Sequence, residues 1–155
     1  MNTILNEYVK FTEKLSLLMN IEEVDANKSI NEGKWSPKEV IAHIYRWDIF
    51  LMEKGIPEII KDYKINFPSH DQYNAESVVF SKTVDFKTLL KMTAELRIKF
   101  VQMLSELNLD KQIRVNGFTH DPHTNQEYTL KYLITGFVEH DQHHFKPLEK
   151  CLTRN

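Results

Sequence analysis

The sequence predicts an all-α protein: a bundle of four long helices forming one domain over residues 1–155. Three observations carry this. Apolar residues recur at spacings of three and four through four long stretches, the period of one helix face. No stretch alternates clearly between apolar and polar residues as a half-buried strand does. Only four glycines and five prolines interrupt the 155 residues, so the uninterrupted runs are long enough for helix. Helices of this kind bury their stripes against one another in an antiparallel-type bundle. The length is sufficient for one full core.

The first helix is expected from Thr3 to Met19, with Ile4, Tyr8, Phe11, Leu15 and Leu18 on one face. The second has the best-marked start, in KWSPKEV. Ser36 is an N-cap, Pro37 suits the first helical position, and Glu39 completes a capping box. Trp35 and Val40 are placed for a hydrophobic staple. This helix is expected to run to Lys54 and stop at Gly55 and Pro57. Its inner stripe is Val40, His43, Ile44, Trp47 and Leu51. INFPSHD reads as a loop and DQYNAESVVFS as a short helix. The third long helix begins after Asp85 and ends near Leu107, with Phe86, Leu89, Thr93, Leu96, Phe100, Met103 and Leu107 inward. Residues 108–127 form a polar connection. The fourth helix runs from Thr129 to Leu152, with Leu130, Leu133, Phe137, His144, Leu148 and Cys151 along one seam and His140 beside it.

Charged residues make up 27% of the chain, hydrophobic ones 41%, and the net charge is −2. This balance gives no electrostatic reason to expect nucleic-acid binding. No apolar run approaches the length of a membrane span. MNTILNEYVK carries an early acid and no long apolar core, so it does not read as a secretory signal. Cys151 is the single cysteine; it rules out an internal disulfide and fits a reducing, cytoplasmic setting.

The chemistry concentrates in EHDQHHFKPLEK, residues 139–150. His140 and His144 are four apart, so they stack on one helix face. His43 occupies the inner seam of the second helix. If those two helices are neighbours, three imidazoles converge. Neutral imidazole suits zinc, nickel, iron and copper, and three protein ligands leave a position open for water or substrate. The bland alternative is a set of core histidines held by hydrogen bonds. His143 is placed to replace one ligand, join as a fourth, or act as an acid or base at the rim. Glu139 and Asp141 are placed to orient ligands, the alternative being a solvated face. Pro147 removes one helical hydrogen bond just after the histidines and predicts a kink or loosening. His120 and His123, in FTHDPHTN, read as a turn lying over the site more readily than as a second metal pair. His70 has no evident partner. Trp47 and Tyr45 are candidates for the pocket wall. Cys151 lacks the helix N-terminus that would activate a thiol, and no GxSxG elbow, phosphate loop or dinucleotide fingerprint occurs.

WSPKEVIAHIYRWD, followed much later by FVEHDQHHFKPLEK, resembles the DinB/YfiT-like superfamily. The resemblance implies a four-helix bundle with one metal-binding histidine on the second helix and an HxxxH pair on the fourth. It places His43, His140 and His144 in those roles. The pattern departs at Pro147, where many relatives carry glutamine. KWSPKEVIAHI is also similar to the ClbS/DfsB-like branch. The resemblance implies one divalent metal ion (zinc or nickel first, then iron or manganese), a small-molecule substrate and a homodimer. It further implies a stress or detoxification role. The activity foremost among those it implies is a metal-dependent S-transferase using a low-molecular-weight thiol of the bacillithiol type. The alternatives are a metal-dependent hydrolase using water, a non-catalytic binding bundle, and metal-independent hydrolysis. His143, Asp141 and Tyr132 are the candidates for proton transfer.

Overall fold

The structure, a computed structural model, describes residues 2–153; Met1, Arg154 and Asn155 of the expected 1–155 domain lie outside the described residues. Helix α1 spans Thr3–Leu17 and tightens into a 3₁₀ turn at Leu18–Asn20. Asn2 caps it, its Oδ1 accepting from the Ile4 N–H at 2.8 Å. A single-turn helix, α2, follows at Glu23–Ala26. Helix α3 spans Pro37–Phe50 and opens with the expected capping box. The Glu39 N–H donates to Ser36 Oγ at 3.2 Å, and the Ser36 N–H donates to Glu39 Oε1 at 2.9 Å.

The second helix does not stop at Gly55 and Pro57, as the sequence suggested. It widens into a π turn at Leu51–Gly55 and continues as α4, Ile56–Asp62. Pro57 cannot donate to an α-helical ladder, and the ladder has already opened there: the Ile56 N–H donates to the Leu51 carbonyl. Gly55 serves packing. A Cβ at this position would lie 2.6 Å from Ile65 Cδ1.

Ile65 belongs to the one sheet among the described residues, an element absent from the sequence reading. Strand β1, Lys64–Ile65, pairs in parallel with β2, Arg114–Val115. Two-residue strands carry too little alternation to be read from sequence. Their pairing ties two distant loops together, residues 66–69 and 116–129. Helix α5, His70–Ser81, follows the first of these.

Helix α6 spans Phe86–Ser105, and Asp85 caps it by accepting from the Thr88 N–H at 2.9 Å. Helix α7 spans Leu130–Thr153 and runs on through Pro147, which is exposed. The four long helices make a four-helix bundle: α6 packs on α1 and α3, and α7 packs on the same two. No described helix is long and apolar enough to cross a membrane.

The core has two apolar clusters. One gathers Leu5, Tyr8, Leu51 and Phe100 with Ile134 and Val138; the other gathers Phe11, Leu15, Ile44, Phe86, Phe145 and Leu148. Of the expected α7 seam, Leu130, Leu133 and Leu148 are buried, but its middle is rotated. Ile134, Val138, Asp141, Phe145 and Leu148 are buried, while Phe137, His140 and His144 flank them, half-buried.

Between the clusters lies an ion network. The Arg97 guanidinium, 0% exposed, sits 3.9 Å above the Tyr8 ring and 5.1 Å from the Phe11 ring. It donates to Asp48 Oδ2 at 2.9 Å, to Asp141 Oδ2 at 2.8 Å and to the Tyr8 carbonyl at 3.0 Å. Both carboxylates are buried as well. The pairing holds Arg97 well above the usual guanidinium value, overcoming burial that would lower it. Burial, reinforced by the charge of Asp48, raises Asp141 to about 6 against the opposing pull of Arg97. The sequence reading placed Leu96 on this stripe. Leu96 is only half-buried, and its neighbour Arg97 takes the central position.

Candidate metal centre

Helices α3 and α7 are neighbours, and their contact brings the three expected histidines together. Ring centroids lie 4.9 Å apart for His43 and His140, 4.6 Å for His43 and His144, and 4.4 Å for His140 and His144. One nitrogen from each ring lies within 4.8 Å of the others. The closest pair, His43 Nε2 and His140 Nε2, is 3.0 Å apart. Ligand nitrogens about 2.0–2.1 Å from a tetrahedral zinc stand at a similar separation, ~3.3 Å.

The surroundings favour the neutral form of all three rings. Burial brings His43 down to about 4, and the neighbouring His144 pushes the same way. Burial brings His140 down to about 3, reinforced by His144 and His43. His144 is lowered by burial and by His143. A neutral imidazole offers the lone pair that a metal needs. The donor set therefore fits a divalent ion. Among the described residues, no other trio of histidine, cysteine or acidic side chains is grouped this closely.

The centre opens into a cavity of about 690 Å³. Trp35 covers one side, its ring 4.9 Å from His43 and stacked at 6.1 Å on His144. Trp47, four residues from His43 and so on the same helix face, lines the cavity. Its Nε1–H donates to Asn74 Oδ1 at 3.1 Å, which fixes the ring against α5. His70 also faces the cavity, 5.3 Å from the Trp47 ring. His70 has no evident partner in the sequence because its placement depends on how α5 packs against α3.

The 116–129 loop lies over the mouth, as FTHDPHTN suggested. Asp121, Thr124 and Tyr128 line the cavity from it. His120 and His123 form no metal group. His120 Nδ1 contacts Thr119 Oγ1 at 3.0 Å, and the His123 N–H donates to Asp121 Oδ1 at 2.8 Å. Tyr132 lines the cavity and donates to Asp121 Oδ2 at 2.7 Å. Its contact with Thr124 favours ionisation, but the hydrogen bond to Asp121, burial, and the charges of Asp121 and Glu139 together raise its pKa.

Three expected site residues lie elsewhere. Tyr45 is half-buried and stacks on Phe80 at 5.5 Å, away from the cavity. It follows His43 by two residues, about 200° around the helix. Asp141 points into the core and is held by Arg97. His143 is exposed and does not line the cavity; its ring lies 5.4 Å from that of His144.

A four-helix bundle with three histidines from two helices facing a cavity is a helical bundle whose donor set could hold a metal ion. The family comparison agrees: residues 12–146 match the model of the DinB superfamily, and the chain belongs to that superfamily. A similar solved structure is that of YfiT from Bacillus subtilis, described as a probable metal-dependent hydrolase with an unusual four-helix bundle topology. The two share 16% identity with a TM-score of 0.75, over 99% of this chain and 89% of that one. No curated protein matches the chain.

Proposed function

We propose that this protein is a divalent-metal-dependent hydrolase of small molecules. The observation that carries the reading is the set of three neutral imidazoles in the wall of a 690 Å³ cavity, with no carboxylate among the ligands. Neutral ligands leave the ion's charge uncompensated. A divalent ion held there supplies Lewis acidity at its open position, lowering the pKa of a water or thiol. His43, His140 and His144 would hold it; zinc and nickel suit imidazole best, and iron and manganese follow. Trp35 shields the rings from solvent on one side, and Trp47 limits the space beside His43. The fold shared with YfiT supports the choice of water as nucleophile.

A second reading is a thiol S-transferase of the bacillithiol type, with a role in detoxification. The cavity volume favours it, because pockets of about 300–1,000 Å³ hold whole drug-sized ligands. That is enough for a thiol and part of an electrophile.

The test is turnover of aryl and alkyl esters by protein loaded with zinc, nickel, iron or manganese, with and without added thiol. Hydrolysis without thiol, lost on chelation and in His43→Ala, supports the proposal. Consumption of an electrophile only when thiol is present replaces it with the transferase. Activity that survives chelation means metal-independent chemistry. No turnover by metal-loaded protein on either panel leaves the binding bundle.

A further inference from the structure

Helix α7 lines the cavity along one row. Tyr132, Gly136, His140 and His144 succeed one another at four-residue spacing, and all four face the cavity. Gly136 breaks the row of side chains: a Cβ there would meet nothing within 4 Å. The gap makes a trough along the helix. One end is the histidine centre. The other is the corner where Tyr132 donates to Asp121 at 2.7 Å. Eight residues separate Tyr132 from His140, a rise of about 12 Å.

The two ends differ in charge. The metal end is built to meet an electron-rich atom. The far end carries Asp121, whose carboxyl is held below its usual value: the Tyr132 hydroxyl is the main cause and the His123 N–H the next. Glu139 also lines the cavity, one residue before His140, and its charge acts weakly on the Tyr132 hydroxyl. No lysine or arginine is among the described residues that line the cavity. Between the ends the walls are aromatic, with Trp47, Phe67 and Phe137. Aromatic faces attract cations and flat rings, and repel anions that approach the ring face.

We propose that the substrate is an elongated molecule with three parts: a metal-binding polar group at the reacting end, a flat apolar middle lying over Gly136, and a positively charged amine at the Asp121 end. This rests on the metal reading above and specifies its substrate class. Such a cavity discriminates against compounds carrying a carboxylate at the far end.

The test uses hydroxamates, which chelate metal ions directly, with calorimetry on zinc- or nickel-loaded full-length protein. Acetohydroxamate probes the metal alone. Benzohydroxamates with a para aminoethyl or a para carboxyethyl group probe the trough and its charge. The amine probe should bind about tenfold more tightly than the carboxylate probe at low salt, as expected for partly exposed charge pairs. The preference should shrink in about 1 M salt and in Asp121→Asn. Gly136→Leu should weaken both aryl probes and leave acetohydroxamate binding and metal content unchanged. Equal binding of the two charged probes, or a preference for the carboxylate, overturns the proposal while the metal reading stands. Failure of acetohydroxamate to bind loaded protein, or failure of the protein to take up metal, overturns the metal reading and the substrate class with it.

Discussion

Arg97 and Asp141 are paired at 2.8 Å in the centre of the bundle, one residue along α7 from His140. The same guanidinium holds Asp48, five residues beyond His43 on α3. One buried cation therefore clamps both helices that carry the histidines. The clamp lies on the core side of the contact, and the histidines lie on the cavity side. The bundle fixes the α3–α7 spacing through charges that the site itself does not use.

Removing this cation should be severe. Arg97→Met leaves two buried carboxylates without a counter-charge, Asp48 keeping only the hydrogen bond from the Tyr8 hydroxyl, a change that costs about 3–5 kcal/mol in comparable buried networks. Urea denaturation should show the loss as a lower midpoint. The triple variant Arg97→Met with Asp48→Asn and Asp141→Asn removes the stranded charges as well. It should recover a substantial part of the stability. A single variant no less stable than the parent would mean that the network contributes nothing net.

The ligand set predicts a pattern of metal loss. Mass spectrometry should find about one equivalent in the parent after incubation with zinc or nickel. His43→Ala, His140→Ala and His144→Ala should each lose it, since even second-sphere changes cost 10–100-fold, roughly, in affinity. His143→Ala should keep it, because His143 is exposed and outside the cavity wall. Retention in His140→Ala together with loss in His143→Ala would reassign the ligand.

The long helices were legible because burial repeats every three or four residues, and so were the cap at Ser36 and the helix start after Asp85. The histidine trio was legible for the same reason: His140 and His144 share a face, and His43 sits one turn before Trp47. What was lost depends on contacts between distant segments. Arg97 reads locally as a solvated charge, and only Asp48 and Asp141, brought in from other helices, make its burial tolerable. His70 reaches the cavity through the packing of α5 on α3, and Asp121 through the loop after β2, whose two-residue pairing with β1 leaves no periodic trace. Gly55–Ile56–Pro57 reads as a stop signal because sequence rules assume an α-helical ladder, whereas this ladder widens before the proline. Tyr45 was misplaced by angle alone.

Glu23 predicts a pH dependence. It accepts from Lys38 Nζ at 2.7 Å and from the Phe86 N–H at 2.8 Å, tying α2 to the starts of α3 and α6. Burial opposes ionisation, but these hydrogen bonds outweigh it and lower the pKa below 4.5. A carboxylate whose pKa is lowered by folding stabilises the fold above its unfolded value. That contribution is lost as the pH falls through the folded value. Thermal melts at pH 3 and pH 6 should therefore differ less for Glu23→Gln than for the parent, with the variant weaker at pH 6. Glu23 is half-exposed, so solvent screening keeps the effect within about 1 kcal/mol. An equal pH response in both proteins would remove Glu23 from the account.

Gly136 sets stability against function. It lies within α7, is exposed, and has open space where a side chain would stand. Glycine inside a helix costs roughly 0.5–1 kcal/mol relative to alanine, because the unfolded chain has more freedom to lose. Nothing in the surrounding packing repays that cost; the benefit is the trough between Tyr132 and His140. Gly136→Ala should therefore raise the urea midpoint by an amount matching about 0.5–1 kcal/mol. Gly136→Leu keeps the helix and fills the trough, so it should weaken large ligands while metal content stays at the parent level. Stabilising substitutions that narrow a site commonly trade activity for stability. If Gly136→Ala lowers stability instead, the residue is there for the backbone, and the open floor of the cavity is incidental.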